Sequence, residues 1–209
     1  IAPDTMKRDF KLRAKIRNEF SLGDKQILIG NVGRMVEFKG QEYLLRAFPA
    51  ALQKFPDSRL MIVGSGKLEK QLHSLAESLG VKNEVIFPGF RDDMQAVYSS
   101  FDIYAHTSVE GGGETFPYSM LYALAQGLPM VITRVGDMPA MVDDGGNGFI
   151  VEDKKPHLIS EKLILLLGDE NLRKKMGEES LKIINSRFTE DVMLKNIEGV
   201  YKKALGIKE

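Results

Sequence analysis

Apolar residues recur at two spacings that take turns along the 209 residues of this chain. Short runs rich in Ile, Val and Leu, most of them closed by glycine or another turn residue, predict β-strands over 26–32, 59–63, 84–87, 102–106, 129–133 and 148–151. Between them the apolar positions follow helical spacing, as at Leu44, Leu45, Phe48 and Leu52, and predict helices over 41–54, 68–79, 93–99 and 118–126. Three more helices, over 157–167, 171–185 and 189–205, finish the chain, the last with Thr189 as its N-cap. Strands that alternate with helices across short connections pair in parallel through right-handed crossovers. The fold class expected is therefore α/β, a doubly wound, Rossmann-like parallel sheet of about six strands with C-terminal helices. Residues 1–25 read as an N-terminal helical segment, 26–188 as the sheet domain and 189–209 as a C-terminal helix.

Composition narrows the class without naming a chemistry. Hydrophobic residues make up 43% and charged residues 28%, the balance of a soluble globular chain. The 29 basic and 29 acidic side chains cancel, so no long-range field favours nucleic acid or an anionic membrane. With no cysteine, disulfides and thiolate metal sites are excluded, and His73, His106 and His157 are too scattered for a structural zinc site. No apolar stretch reaches membrane-spanning length and no signal peptide precedes the first strand, so a cytoplasmic location is expected. The chain begins at Ile1 rather than Met, inside a polar segment (TMKRDFKLRAKIRNEF), as expected of a piece of a longer protein.

Candidate chemistry starts where the first predicted strand ends. Arg34 and Lys39 stand five residues apart just past it, and ligand crevices of open α/β sheets lie outside the carboxyl ends of strands. Arg grips phosphate oxygens in a bidentate fork and Lys adds a compact charge, so the pair suits a diphosphate; solvated surface charge would look the same in isolation. Gly64-Ser65-Gly66-Lys67 resembles part of a phosphate loop, but Met61 and Leu68 replace the first glycine and the Mg-binding hydroxyl. What survives is a tight turn where backbone can approach a ligand. Gly111, Gly112 and Gly113 lead into Glu114 just before a helix, where unpaired amides near Thr115 and Phe116 could hold an anion. Glu114 would repel a phosphate, so its partner is either a sugar hydroxyl or, as a capping carboxylate, the helix itself.

Four stretches in order carry a resemblance: GRMVEFKG at 33–40, LMIVGSGKLEKQLHSLAESLGVKNEVIFPGF at 60–90, Glu114 to Pro129, and GDMPAMVDDGGNGFIVE at 136–152. Over nearly its whole length the chain resembles the C-terminal, donor-binding domain of retaining GT-B glycosyltransferases of the group 1 family (family four). The resemblance implies that the loop of Gly33, Arg34 and Lys39 binds a nucleotide diphosphate, with Gly64 close by. It implies that Glu114, first glutamate of an E-x7-E pattern, contacts the donor sugar, aided by amides of Gly113, Thr115 and Phe116. The loop around Phe87, Pro88, Gly89 and Phe90 would border the base. One departure matters: the second glutamate, usually a ribose ligand, is replaced by Tyr122. A phenol cannot offer two anionic oxygens to a vicinal diol; either Tyr122 substitutes with one hydrogen bond or its ring packs and ribose is held elsewhere.

The implied activity is transfer of a sugar from a nucleotide diphosphate sugar, such as a UDP- or GDP-sugar, to an acceptor with retained configuration. Arg34 and Lys39 would stabilise the leaving diphosphate, Glu114 would orient the sugar, and no metal or other cofactor is expected. The missing N-terminal half would carry the acceptor site and any peripheral membrane association, with residues 1–25 and the last helix between the halves. Alone, the fragment is expected to bind donor weakly and to catalyse little. Polysaccharide biosynthesis is one of several uses of such a domain. The alternatives are a non-catalytic pseudo-glycosyltransferase interaction module, suggested by Tyr122, or another GT-B nucleotide-sugar enzyme such as an epimerase.

Overall fold

The computed structural model describes residues 6–206. Six strands, β1 (Ile27–Val32), β2 (Ser58–Val63), β3 (Val85–Ile86), β4 (Ile103–His106), β5 (Met130–Thr133) and β6 (Gly148–Val151), form one all-parallel sheet in the order β3-β2-β1-β4-β5-β6. The doubly wound sheet expected from the sequence is the fold observed. Eight helices accompany it among the described residues: α1 (Phe10–Glu19), α2 (Gln41–Lys54), α3 (Glu69–Ser78), α4 (Met94–Ser100), α5 (Tyr118–Ala125), α6 (Pro156–Gly168), α7 (Glu170–Arg187) and α8 (Glu190–Ala204). The first few residues of the segment 1–25 and the last few of 189–209 lie outside the described residues.

Alternation along the strands builds two cores. Leu28, Met61, Tyr104, Met130 and Ile132 pack with Ile16, Val97, Leu121, Leu124 and Ile184 of α1, α4, α5 and α7. Ile29, Leu60, Ile62, Ile103 and Val131 face the other way, onto Leu44, Leu45, Phe48, Leu72 and Leu163 of α2, α3 and α6. Each such buried side chain contributes about 1.5–3 kcal/mol, which is why runs of Ile and Leu become central strands here. Gly30 has a packing role: a Cβ there would stand 2.2 Å from the Phe101 ring.

α1 docks through charge. Asp9 caps it, and Arg8, Arg13 and Arg17 converge on the Asp102 carboxylate, Arg13 at 2.7 Å. Arg13 also donates to the Ser100 carbonyl at the C-terminus of α4, and Asp102 accepts the Leu28 amide of β1. At the other terminus α8 is capped by Thr189 and buries none of its residues fully, leaving Met193, Leu194, Val200 and Tyr201 more than half exposed.

The strand order fixes where a site can form. The chain winds outward from β1 through β2 to β3, then returns to start again at β4. The loops after β1 and β4 therefore part in opposite directions and leave a crevice between them, the switch point where doubly wound sheets bind ligands.

Candidate functional site

The loop after β1 is pinned before it reaches its cations. The Gly33 amide donates to Val63, the Met35 amide to Ser65, and Met35 in turn accepts from Leu68. This close pairing needs the glycines of Gly64-Ser65-Gly66: at Gly64 (φ +132°) a Cβ would lie 2.1 Å from the Gly33 oxygen, and at Gly66 2.4 Å from the Met35 oxygen. The turn is thus occupied mainly in holding a neighbouring loop. Arg34 projects outward from that loop, exposed and without a carboxylate partner among the described residues, its guanidinium 5.9 Å from the Phe38 ring centre. Gly40, left-handed at φ +60° and tight against the Thr107 oxygen, turns the chain into α2.

The loop after β4 folds onto the first. Gly112 lies on Phe38, where a Cβ would stand 1.8 Å from that residue's own Cβ, and the Val109 amide donates to the Phe38 oxygen. Glu114 then turns inward. Its Oε2 accepts from Lys39 Nζ, from Ser108 Oγ at 2.7 Å and from His106 Nε2 at 3.1 Å. Behind His106, its Nδ1 meets the Tyr104 hydroxyl at 3.2 Å and Ser119 Oγ at 3.4 Å.

Burial opposes ionisation of Glu114, but the hydrogen bonds from His106, Lys39 and Ser108 outweigh it and hold the carboxyl at about 2. Burial drives the His106 pKa below its ordinary value, against the pull of Glu114, and nearby Lys39 lowers it further. A neutral imidazole at neutral pH carries one N–H. With that proton on Nε2 it donates to Glu114, and Nδ1 accepts from Tyr104 or Ser119.

Two cavities adjoin at Val32, Gly33 and Arg34. One, of about 310 Å³, is walled by Lys39, Gly113, Glu114 and the first turn of α5 from Pro117 to Ser119. The other, of about 190 Å³, is mainly apolar, walled by Val63, Gly64, Ser65, Phe90, Arg91 and Met94. Gly33, Arg34, Lys39, Gly64, Gly113 and Glu114 thus line these two adjoining cavities.

Four other candidates stand elsewhere. Phe87 packs on His73, ring centres 4.1 Å apart, while Phe90 borders the groove, because the loop turns at Gly89 (φ +75°). The Thr115 carbonyl accepts the Asp137 amide, and Phe116 meets Phe188 edge-on in a separate cavity beside α8. Tyr122 lies against Tyr98 and the core, and lines neither cavity of the groove. The helix turn at the groove is that of Tyr118 and Ser119 instead of Thr115 and Phe116. His106 and Ser108 were missed; their i, i+2 spacing past a strand, pointing to one face, was the available signal. Among the described residues no group of three or more His, Cys, Asp or Glu is placed to hold a metal ion, and no helix is long and apolar enough to cross a membrane.

A doubly wound sheet with a buried carboxylate and an arginine that has no carboxylate partner among the described residues at its switch point is the arrangement of a Rossmann-like ligand-binding domain. The chain belongs to the glycosyl transferases group 1 family, whose model matches residues 13–182. It is 31% identical over 195 residues to an uncharacterized glycosyltransferase of Methanocaldococcus jannaschii, covering 92% of this chain and 49% of that protein. It is 36% identical over 172 residues to the D-inositol 3-phosphate glycosyltransferase of Corynebacterium jeikeium, covering 78% of this chain and 40% of that protein. The chain therefore spans about half the length, or less, of these curated relatives. Among solved structures, HepE of Anabaena in complex with UDP superposes with a TM-score of 0.87 at 23% identity, over 97% of this chain and 56% of that one. The C-terminal domain of a group 1 glycosyl transferase from Francisella tularensis superposes at 0.81 and 23% identity, over 91% of this chain and 99% of that domain.

Proposed function

We propose that the groove binds a nucleotide diphosphate sugar and that this chain is the donor half of a retaining, metal-independent glycosyltransferase. The carrying observation is the placement of Arg34, free of any carboxylate partner among the described residues, beside Lys39 and the buried Glu114 at the switch point. The base takes the apolar cavity under Phe90 and Arg91, and the diphosphate spans Arg34, Lys39 and the amides of Tyr118 and Ser119 at the start of α5, which have no intrahelical acceptor. Glu114 orients the sugar. When the bond from the anomeric carbon to the diphosphate breaks, negative charge grows on the leaving oxygen, and two protein cations, Arg34 and Lys39, supply what a divalent metal would otherwise supply.

UDP in the Anabaena neighbour and the transferase names of the relatives support this reading. The acceptor belongs to a second half of the protein, since the relatives are about twice as long as this chain. Residues 189–209 are proposed to meet that half through the exposed apolar side chains of α8. With Tyr122 turned into the core, the ribose is held by other groups.

Calorimetric titration with UDP, GDP and ADP tests the proposal. One nucleotide is expected to bind, with both Arg34→Ala and Lys39→Ala weakening it by about tenfold, the loss of a charge-assisted hydrogen bond. A folded chain that binds none of the three would sink the donor reading.

A further inference from the structure

The proposed function asks Lys39 to hold diphosphate and Glu114 to hold sugar, yet the two are paired with each other. How the donor divides them follows from the hydrogen bonds. All three donors to Glu114 fall on Oε2, and among the described residues Oε1 accepts none. Two of those donors cannot leave: His106 is 1% exposed at the end of β4, and Ser108 is fully buried, its carbonyl held by Thr133 Oγ1. The third, Lys39, sits on a long flexible stem in the wall of the cavity and can rotate to an incoming anion.

A buried carboxylate that loses its only donor is costly and moves to find another. Glu114 loses one of three. With the His106 proton on Nε2, its remaining bonds are themselves braced: Nδ1 then accepts from the Tyr104 hydroxyl or Ser119, and Nε2–H is left for Glu114. Resting on the donor reading above, we propose that His106, with Ser108, is a positioning residue. It fixes Oε2 of Glu114 while Lys39 exchanges to the donor's diphosphate, so that Oε1 meets a sugar hydroxyl in a set geometry.

The prediction separates two affinities. Losing His106 loosens the carboxylate that touches the sugar, whereas the diphosphate contacts of Arg34 and Lys39 persist. Calorimetry with UDP-glucose against UDP, and GDP-mannose against GDP, measures the ratio in the wild-type chain and in His106→Ala, Ser108→Ala and His106→Gln. His106→Ala and Ser108→Ala are expected to weaken the sugar nucleotide relative to its diphosphate by about five- to tenfold, a lost hydrogen bond to a charged group. His106→Gln, whose amide N–H reaches toward the position of Nε2, is expected to restore most of the ratio, which a purely space-filling role would not require.

Nucleotide binding with the ratio unchanged within about twofold in both deletion variants overturns the proposal and leaves the donor reading standing. Failure of the wild-type chain to bind any of the four overturns the donor reading and this inference with it. Should His106→Ala not fold, the contrast between Ser108→Ala and His106→Gln decides: both at wild-type ratio overturns it, and a loss in the first alone supports it.

Discussion

The ring of Tyr122 packs against that of Tyr98, centres 5.6 Å apart, on the side of α5 that faces the core. The residue that replaces the second glutamate of the E-x7-E pattern is therefore a packing residue in this fold. Tyr122→Phe is expected to change nucleotide affinity by less than about twofold. Tyr122→Glu is expected to cost about 2 kcal/mol or more, because it carries a carboxylate into an aromatic cluster packed on the core. Urea unfolding of the two variants checks this; a gain in nucleotide affinity in Tyr122→Glu would show that the position still reaches the ribose.

Acid should reveal how much Glu114 contributes. Its folded pKa of about 2 lies below the ordinary carboxyl value of 4.5, so its contribution is complete above pH 4.5 and is lost as pH falls toward 2. The shift corresponds to about 3 kcal/mol. Glu114→Gln is expected to flatten stability over that window, measured by denaturant unfolding at a series of pH values. Parallel curves for variant and wild type between pH 5 and about 2 would contradict it. His106, also depressed, acts in the same direction at a higher pH, since the unfolded chain takes up that proton first.

Gly64 tests whether the Gly-Ser-Gly turn serves the neighbouring loop. A methyl group there would collide with the Gly33 oxygen at a left-handed φ of +132°, so Gly64→Ala is expected to destabilise by about 2 kcal/mol and to displace Arg34. Thermal melting reports the first effect and nucleotide titration the second. Wild-type values for both would show that the turn has room the packing does not suggest.

What the sequence revealed, and what it hid, divides along physical lines. The six strands were legible because each is a short apolar run, and even the two-residue β3 lay inside its predicted span. Arg34, Lys39 and Glu114 were legible because charges beside strand ends are conspicuous. His106 and Ser108 were not, since two small or neutral polar residues at a strand end look like strand. Which ring of the loop from Phe87 to Phe90 meets the groove was not legible, because nothing in the letters shows that Gly89 takes a positive φ and turns the next ring to the groove. Tyr122 was not legible for a related reason: the choice between groove and core depends on the helix rotation, which no letter shows, and in the fold its ring meets Tyr98.

The last helix offers a test of which surface belongs to this domain. Val200 and Tyr201 are 69% and 66% exposed, although their spacing with Ile197 and Leu194 would suit a buried stripe. If α8 contributes little to the core here, Val200→Lys and Tyr201→Lys together should leave the unfolding free energy within about 0.5 kcal/mol of wild type, as substitutions on a solvated face do. Charge on that face should also lower any self-association at high concentration, read by sedimentation velocity, because a contiguous apolar patch would be broken. A loss of more than about 1 kcal/mol would mean instead that the helix packs back on this domain in solution, and the assignment of residues 189–209 to a contact with a second half would fail.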